Sequence, residues 1–384
     1  MTDGIQSMAP LQFDIFQWLR GIPDWIWGII TWLYSVLHGV FVWAWGVFVW
    51  IWGLAIDNFW FLFKSIVFPG LVFIVLGIIY AVWFTRKLWG RIQARRGPYH
   101  MGKFGGLQLF ADAIKLVSKE TIIPVGARRW MYRLLPSMLL AVVLIPFAFI
   151  PWDNEWYIAD LSVSLLLVFA FLTAVPVVSL LSGWFCGSKY TVVGGFRAAN
   201  NQFAAEIPLI LSAVGPALLA GSLSLMNISA SQSNVWYVFL LPVSCVTFLV
   251  SAEAVTGLVP FDAPVADSEI IFGWRTEFSG IYFTLTYFAE FAKQFLFSAM
   301  TVALFLGGSY GLPFLPPVVN FMVKTLIVMF FFVILTSSFF RIRQDQVVYY
   351  SWKYLFPLSI LNLAVTLLVL AYNPWLIAIV TGGG

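Results

Sequence analysis

The sequence predicts an all-α polytopic membrane protein. Of its 384 residues, 61% are hydrophobic and only 10% are charged, which is too little charge to cover the surface of a soluble globular domain. Apolar runs of about 20 residues recur along the chain, and a helix of that length crosses a hydrocarbon core of about 30 Å. The opening residues lack a basic n-region and a small-residue cleavage site, so we expect no removable signal peptide.

Apolar windows between charged residues predict eight spans, near 60–85, 134–151, 161–185, 207–226, 236–257, 281–307, 317–340 and 354–379. A further apolar run from Trp25 to Ile56, interrupted by His38, predicts one extra N-terminal helix. We therefore divide the chain into an N-terminal extension, residues 1–58, and a membrane domain, residues 59–384. No clear internal repeat is found, which argues against a transporter built from inverted repeats.

Basic residues alternate between the predicted connections. Eleven of the 21 Lys and Arg residues lie between Arg86 and Arg133, and every second connection after that one is also basic. The connections at 152–160, 227–235 and 308–316 contain no Lys or Arg. Because basic loops remain on the cytoplasmic side, this alternation independently supports eight spans and predicts that the basic connections are cytoplasmic.

An acidic loop, PFDAPVADSEIIFGWRTEFSG at 260–280, differs from these basic connections. It carries four carboxylates, on Asp262, Asp267, Glu269 and Glu277, and one guanidinium, on Arg275. Acidic groups beside a membrane are costly, so we treat the loop as a candidate functional site.

Further charged residues fall within or at the ends of the apolar spans: Lys64, Glu206, Glu253, Glu290, Lys293 and Lys324. Each costs several kcal/mol to bury unless it is paired, hydrated or neutralised. Glu206 opens a predicted span, so a carboxylate favoured by a helix N-terminus is the alternative to a functional role. Snorkelling to the membrane rim is the corresponding alternative for Glu253, Lys64 and Lys324.

Glu290 and Lys293 are three residues apart, so they share a helical face and we expect them to form an ion pair. One interpretation is a pair that only neutralises itself within the bundle. The other is a carboxylate in a hydrated proton path, tuned by burial and by the neighbouring cation.

Cofactor chemistry is limited by the few available ligands. The two cysteines, Cys186 and Cys245, cannot hold an iron–sulfur cluster or complete a four-ligand zinc site, and His38 and His100 are the only histidines. We expect no metal or redox cofactor bound by this chain alone, and no complete catalytic site. We also expect no nucleic-acid binding, because membrane topology already explains the basic turn ARRGP at 94–98.

The segment ADAIKLVSKETIIP in the first basic loop places Asp112, Lys115 and Lys119 at helical spacings of three and four. Such a helix is either a solvated amphipathic helix on the membrane surface or a docking face for a soluble partner or an anionic group.

Five segments together resemble the H subunit of NADH:quinone oxidoreductase (complex I), called subunit 1 in mitochondria. ARRGPYHMG and then LQLFADAIKLVSKETIIP resemble that family's first cytoplasmic loop, and GSKYTVVGGFRAANNQFAAEIPL resembles its next one. PFDAPVADSEIIFGWRTEFSG resembles its acidic signature loop. FAEFAK through ALFLGG, and RQDQVVYYSWKYLFPLSILN, are similar to later segments. The matches follow the family's order over about residues 85–365, and eight spans is the family's number.

The resemblance implies a multi-pass membrane heel subunit of a proton-pumping oxidoreductase in the cell membrane. It implies docking of soluble redox-arm subunits, contact with antiporter-like membrane subunits and lipid, quinone at the interface, and iron–sulfur clusters on partner subunits. The expected coupling residues, including the charges found in the spans, are Glu206, Glu253, Asp267, Glu269, Glu277, Glu290, Lys293 and Lys324. The expected chamber or arm-docking residues are Arg96, Asp112, Lys115, Lys119, Glu120, Arg197, Asp262, Arg275, Arg343, Asp345 and Lys353.

Several positions depart from the family's pattern. The family commonly has Glu-Ala-Asn-Arg shortly before Pro-Phe-Asp, whereas here Glu253 lies about two residues early and Leu258 stands where the Arg is expected. Val265 replaces the first Glu of the family's PEAESE, and Tyr99 and His100 replace a usual Asn-Arg pair. These changes leave open a more apolar acceptor, a different route for the mobile carrier, or a chamber that no longer carries quinone.

Three alternatives therefore stand beside the complex I interpretation. One is the equivalent subunit of a membrane-bound hydrogenase, which uses no quinone, although TEFSG and FLGG favour the respiratory branch. The second is a stand-alone ion or solute transporter. The third is a structural anchor for a soluble enzyme, in which the buried glutamates are incidental.

Overall fold

The computed structural model describes residues 59–153, 155–265, 267–311 and 314–372, together with positions 35, 38 and 46. The predicted N-terminal helix lies outside this description except at those three positions, as does the predicted end of the last span after residue 372. The chain divides into two units, residues 1–61 and 62–384, and most of the described residues belong to the second unit.

The α-helices of the described residues are, in chain order, α1 (Phe59–Ile66), α2 (Leu71–Ile92), α3 (Gln108–Ser118), α4 (Arg129–Leu144), α5 (Ser164–Phe185), α6 (Lys189–Ala220), α7 (Leu225–Ala230), α8 (Tyr237–Leu240), α9 (Pro242–Thr256), α10 (Asp267–Ile270), α11 (Gly280–Phe305), α12 (Pro317–Ser338), α13 (Gln344–Tyr350) and α14 (Phe356–Tyr372). Short 3₁₀ turns occur at Lys103–Gly105, Ile145–Phe149, Ala263–Val265 and Gly273–Arg275, and a π-helical turn at Ser351–Leu355 joins α13 to α14.

Seven helical segments in the described residues are long and apolar enough to cross a membrane: Phe63–Ile92, Arg129–Phe149, Ser164–Phe185, Lys189–Ala220, Gly280–Phe305, Pro317–Ser338 and Gln344–Tyr372. The 15-residue α9 is apolar but shorter. A hydrocarbon core offers no water to backbone N–H and C=O groups, so helices, which satisfy these groups internally, are the expected form. The prediction of an all-α polytopic membrane protein is confirmed.

The predicted span at 236–257 is not one continuous helix. α8 ends at Leu240 and α9 begins at Pro242, with Leu241 between them in a non-helical conformation. Proline has no N–H to donate to a preceding turn and is well suited to the first position of a helix, so it starts α9. Gly257, with φ +74°, ends α9 in the left-handed conformation that glycine adopts without strain.

α6 begins well before the span predicted at 207–226. The helix starts at Lys189, and the polar residues Asn201 and Gln202 are helical and buried. Gly195 allows the backbone of α6 to approach that of α5 closely at Gly183. Glu206 consequently lies in the middle of a helix, and its interpretation as an N-terminal carboxylate was wrong.

The basic connections meet at one end of the bundle, here called the basic face, which comprises residues 93–128, 186–188, 257–279 and 339–343. Hydrogen bonds join them in pairs: Ile122 N to Ser279 Oγ at 3.1 Å, Arg128 N to Phe185 O at 3.2 Å, and Ile342 N to Pro260 O at 2.9 Å. The connections that share a basic composition therefore also share one face of the fold.

On the opposite face, two buried polar side chains make hydrogen bonds that hold the end of α11 and the following loop in place. The Gln232 amide donates to the carbonyls of Ala303 (3.0 Å) and Leu304 (3.2 Å). The Lys324 ammonium donates to the carbonyls of Leu306 (2.7 Å) and Gly308 (3.0 Å), and also to that of Tyr310. These contacts hold the end of α11 and the loop that follows it.

α11 is the central helix. Of the apolar stretch that makes α11 long enough to span a membrane, 94% is buried. Only 11% of the corresponding stretch in Gln344–Tyr372, which contains α13 and α14, is buried. Phe295 of α11 packs against Phe147 and Trp152, at ring-centroid distances of 5.6 and 6.1 Å. Charges carried by α11 are therefore held inside the bundle, and α14 lies at its rim.

Gly194 of α6 packs against the 3₁₀ turn that carries Arg275, since a Cβ there would clash with the backbone N of Trp274. We expect Gly194→Ala to destabilise the protein by about 1–3 kcal/mol through overpacking, measured as a fall in thermal unfolding temperature in detergent. Gly106→Ala is the control, because its Cβ would meet only Lys103 O, at 3.6 Å. Equal stability of the two variants would contradict the close approach.

Candidate functional site

A buried ion pair connects the acidic loop to the central helix. Arg275, 3% exposed, extends from its 3₁₀ turn to the carboxylate of Glu290 on α11. The ring of Trp274 lies 5.2 Å from the guanidinium. Burial lowers the pKa of Arg275 to about 10, against the opposing influence of Asp262 and Tyr287, so the side chain remains charged at neutral pH.

The predicted pair between Glu290 and Lys293 is not formed. The Lys293 ammonium instead donates to the carbonyls of Val255 (3.1 Å) and Thr256 (2.9 Å), at the end of α9. The last carbonyls of a helix lack intrahelical partners and carry partial negative charge, so they attract a cation. The prediction was wrong because neighbouring elements supply a partner to each member: α9 to Lys293 and the acidic loop to Glu290.

Two other glutamates are buried with unpartnered oxygens. Glu253 on α9 is 1% exposed, and neither of its carboxylate oxygens has a hydrogen-bond partner. Glu206 on α6 is also buried, and its Oε1 has no partner. Lys293 is close enough to Glu206 to interact with it electrostatically. Because Glu253 is enclosed, the interpretation of it as a snorkelling rim residue was wrong.

Neutral polar side chains extend this set along α6, α9 and α11. Buried atoms without a protein partner also occur on Asn201, Gln202, Ser251 and Gln294. We call the whole group the polar band, made up of Asn201, Gln202, Glu206, Ser251, Glu253, Glu290, Lys293 and Gln294. Sequence reasoning missed its neutral members, for which the available signal was polar residues within apolar helices, such as NNQ at 200–202.

The remaining acids of the loop mainly join the basic face together. Asp262 pairs with Arg341 at 2.8 Å, and Glu269 pairs with Arg197 at 2.5 Å. The backbone carbonyl of Glu277 accepts a hydrogen bond from a tyrosine hydroxyl of α4 at 2.8 Å. Asp267 begins α10, and its side chain lies outside the described atoms.

In the first loop, Asp112 of α3 pairs with Arg86 of α2 at 2.6 Å. The side chains of Lys115, Lys119 and Glu120 are exposed. α3 also carries an exposed apolar stripe at helical spacing, formed by Leu107, Phe110, Ile114 and Val117. The stripe suits either a membrane surface or a docked partner, so both interpretations of this helix persist.

A cleft of about 680 Å³ lies beside this loop and is lined by Arg86, Trp89, Arg95, Arg96, Gly97, Pro98, Tyr99, His100, Gln108 and Tyr287. It brings the expected chamber residue Arg96 together with the two positions where the family's Asn-Arg is replaced. The other two departures, Leu258 and Val265, are buried apolar side chains.

Three of the expected residues, Arg343, Asp345 and Lys353, lie on or just beyond the last connection. A fourth, Lys324, lies far from it. Arg343 and Asp345 form a pair at 2.9 Å whose side chains are 77% and 66% exposed. The Lys353 ammonium lies 4.7 Å from the ring centroid of Tyr349. Lys324 is on the opposite face, apart from the polar band.

The fold and this site define a class: a polytopic membrane protein in which a loop-covered face is linked by a buried ion pair to charges inside a helical bundle. A family model described as NADH dehydrogenase matches residues 34–367. The H subunit of NADH-quinone oxidoreductase from Dehalococcoides mccartyi is 38% identical over 294 residues, covering 77% of this chain and 83% of the relative. The H subunits from Anoxybacillus flavithermus and Bacillus thuringiensis subsp. konkukian are 38% and 39% identical over 78% and 81% of this chain, and over 92% and 95% of their own lengths. The chain belongs to the H-subunit family of NADH-quinone oxidoreductase (complex I), as its motifs had indicated.

We expect Arg275→Gln to destabilise the protein by about 3–5 kcal/mol, because it leaves the Glu290 carboxylate buried without its partner. The measurement is thermal unfolding of the subunit in the purified complex. Adding Glu290→Gln should cost less than the sum of the two single changes, since the pair is removed together. Arg343→Gln is the matched control at an exposed pair and should cost about 0–1 kcal/mol. Additive effects at 275 and 290 would rule out the pairing.

Proposed function

We propose that this chain is the membrane heel subunit of a proton-pumping quinone oxidoreductase. In this role its basic face docks the soluble redox arm and helps to form the quinone chamber, and its buried carboxylates couple carrier reduction to proton translocation. The Arg275–Glu290 pair is the observation that carries the proposal, because it connects the loop face directly to charge inside the bundle.

Coupling would begin with a change of charge at the acidic loop. Quinone reduction takes up protons and places negative charge beside the loop while it proceeds. The Arg275 guanidinium, with five N–H donors, can share its charge between Glu290 and such a new anion. A weaker hold on Glu290 favours uptake of a proton by the buried carboxylates, which titrate as a set rather than singly.

Proton movement would then follow the polar band. Unpartnered buried polar atoms are the groups that ordered water normally satisfies, and a water chain can pass protons between carboxylates. Glu253 and Glu206 both present unpartnered oxygens, on adjoining helices α9 and α6. We propose that the band passes protons on to antiporter-like membrane partners.

The cleft beside α3 is suited to a quinone headgroup. It combines basic groups on Arg86 and Arg96 with the aromatic faces of Trp89 and Tyr287. Such a lining offers hydrogen-bond donors to the quinone oxygens and apolar contact to its ring. Quinone acts here as an exchangeable carrier, and the iron–sulfur centres that reduce it belong to the proposed soluble partners.

The alternatives explain less. The relatives named above are quinone-linked subunits, which favours the respiratory branch over a hydrogenase. A structural anchor needs no buried charge. Glu253 is nevertheless fully enclosed, and no group donates a hydrogen bond to its carboxylate. Such an arrangement is costly, and a purely structural role does not explain it.

Glu253→Gln provides a sharp test of coupling, because no protein contact to its carboxylate is lost. We expect assembly and stability to be retained. The rate of proton translocation by the reconstituted complex should fall about tenfold or more, which corresponds to an activation free energy higher by about 1.4 kcal/mol or more. Glu290→Gln should likewise abolish pumping or quinone-linked turnover. Glu155→Gln, exposed on the opposite face, is the control. Full pumping in both buried variants would remove the proposed role.

Orientation in the cell membrane can be tested with single cysteines. Cys186 and Cys245 are buried, and burial raises the pKa of the Cys186 thiol to about 12, so a charged maleimide should leave both unlabelled. We expect Lys115→Cys to react only when the cytoplasmic side is accessible, and Ser233→Cys only from outside. The reverse pattern would place the basic face outside the cell.

A further inference from the structure

A second and larger cleft opens on the basic face, with a volume of about 920 Å³. Arg197 of α6 lies on one side, and Arg341 and Arg343 lie on the connection between α12 and α13. Glu269 and Asp345 also line it, so its wall carries three cations and two anions. None of these residues belongs to the polar band, and none lines the quinone cleft.

The three guanidiniums keep donors available. Each uses a single nitrogen for its carboxylate: Arg197 Nη1 for Glu269, Arg341 Nη2 for Asp262, and Arg343 Nε for Asp345. A guanidinium has five N–H groups in a fork that matches the oxygens of a phosphate. The cleft therefore presents further guanidinium N–H donors in a geometry that recognises a phosphate group.

An apolar groove of about 400 Å³ adjoins this cleft, and Ile342 lines both. The groove lies between Val250 of α9 and the start of the last span, at Tyr350, Tyr354 and Leu355. Its lining is almost wholly apolar. A charged cleft and an apolar groove thus share one wall at the end of a membrane helix.

The groove faces the surroundings of the bundle. Only 11% of the apolar stretch in Gln344–Tyr372 is buried. Tyr350, Trp352 and Tyr354 are exposed, as is typical of aromatic residues at a membrane interface. A separate, smaller cavity of about 110 Å³ is lined in part by Asn362 and Val365 of α14. Asn362 lies seven positions beyond Leu355, about 10 Å along the helix, which is within the reach of an acyl chain.

We propose that the cleft and groove together bind one anionic phospholipid, with its phosphate among Arg197, Arg341 and Arg343 and an acyl chain along α13 and α14. The remaining N–H donors of the arginines select a phosphate headgroup, and continuity with the apolar groove selects a lipid over a free anion. The lipid would tie the acidic loop, through Arg197 and Glu269, to the start of the last span. The site uses no residue of the polar band, so it is separate from the proposed proton path.

The test uses the purified complex in nanodiscs with a phosphatidylglycerol that carries a photoreactive diazirine on its acyl chain. Illumination should crosslink the lipid to peptides covering residues 342–355, about tenfold more efficiently than the matching phosphatidylcholine probe at equal concentration. The preference is measured on the unmodified chain, so it decides the proposal even if a variant fails to assemble. Equal crosslinking by the two probes would overturn it.

Two variants locate the parts of the site. Arg341→Gln combined with Arg343→Gln should reduce the phosphatidylglycerol crosslink about tenfold, whereas Arg129→Gln, exposed beside the basic face but outside the cleft, should leave it unchanged. Leu355→Trp should fill the groove and remove the crosslink with the arginines intact. A crosslink unchanged in both the double variant and Leu355→Trp would refute the site.

Inorganic phosphate distinguishes the two sources of a phosphate group. If millimolar phosphate stabilises the complex through these arginines and no acyl-chain crosslink appears at 342–355, the cleft is a simple anion site and the lipid proposal fails. Retention of the crosslink in excess phosphate supports a lipid held by both headgroup and chain.

Discussion

The structure depends on the neutralisation of charge inside a helical bundle. Glu290 lies on the most buried helix, and a carboxylate there needs a cation. Arg275 supplies it from a loop, so the acidic loop must fold down onto the bundle rather than extend into solvent. Close approach of the loop is possible because α6 has a glycine, Gly194, beneath the turn. The ion pair thereby fixes where the loops of the basic face meet.

Two buried lysines and two buried glutamates differ in their hydrogen bonding in this fold. Lys293 and Lys324 donate to backbone carbonyls, Lys293 to two of them and Lys324 to three. Glu206 and Glu253 have oxygens without a donor. A cation held by several carbonyls has little to gain by rearranging, whereas a carboxylate oxygen without a donor gains from a proton or a water molecule. This asymmetry favours Glu206 and Glu253 as the responsive groups.

Much of the fold could be predicted, because span length and loop charge are local properties. Apolar windows located the eight segments, and the alternation of Lys and Arg predicted which connections share a face. Helix limits were less predictable: small and polar residues after Lys189 are helical because neighbouring helices bury them, and Pro242 interrupts a continuous apolar window. The charged members of the polar band were named from the sequence, but its neutral members and the contacts of the charged ones were not. The spacing shows that Glu290 and Lys293 lie on one helical face. It does not show that Glu290 binds Arg275 and that Lys293 binds the carbonyls at the end of α9 instead.

The end of α9 has an electrostatic consequence. Val255 and Thr256 are both 0% exposed, so the carbonyls that hold Lys293 lie inside the protein rather than at its aqueous surface. Within low-dielectric surroundings, the negative end of a helix is poorly screened by salt. Lys293 therefore has a counter-charge made of backbone, which no proton can neutralise. The partial charge of these carbonyls stays constant while the ionisation of nearby carboxylates varies.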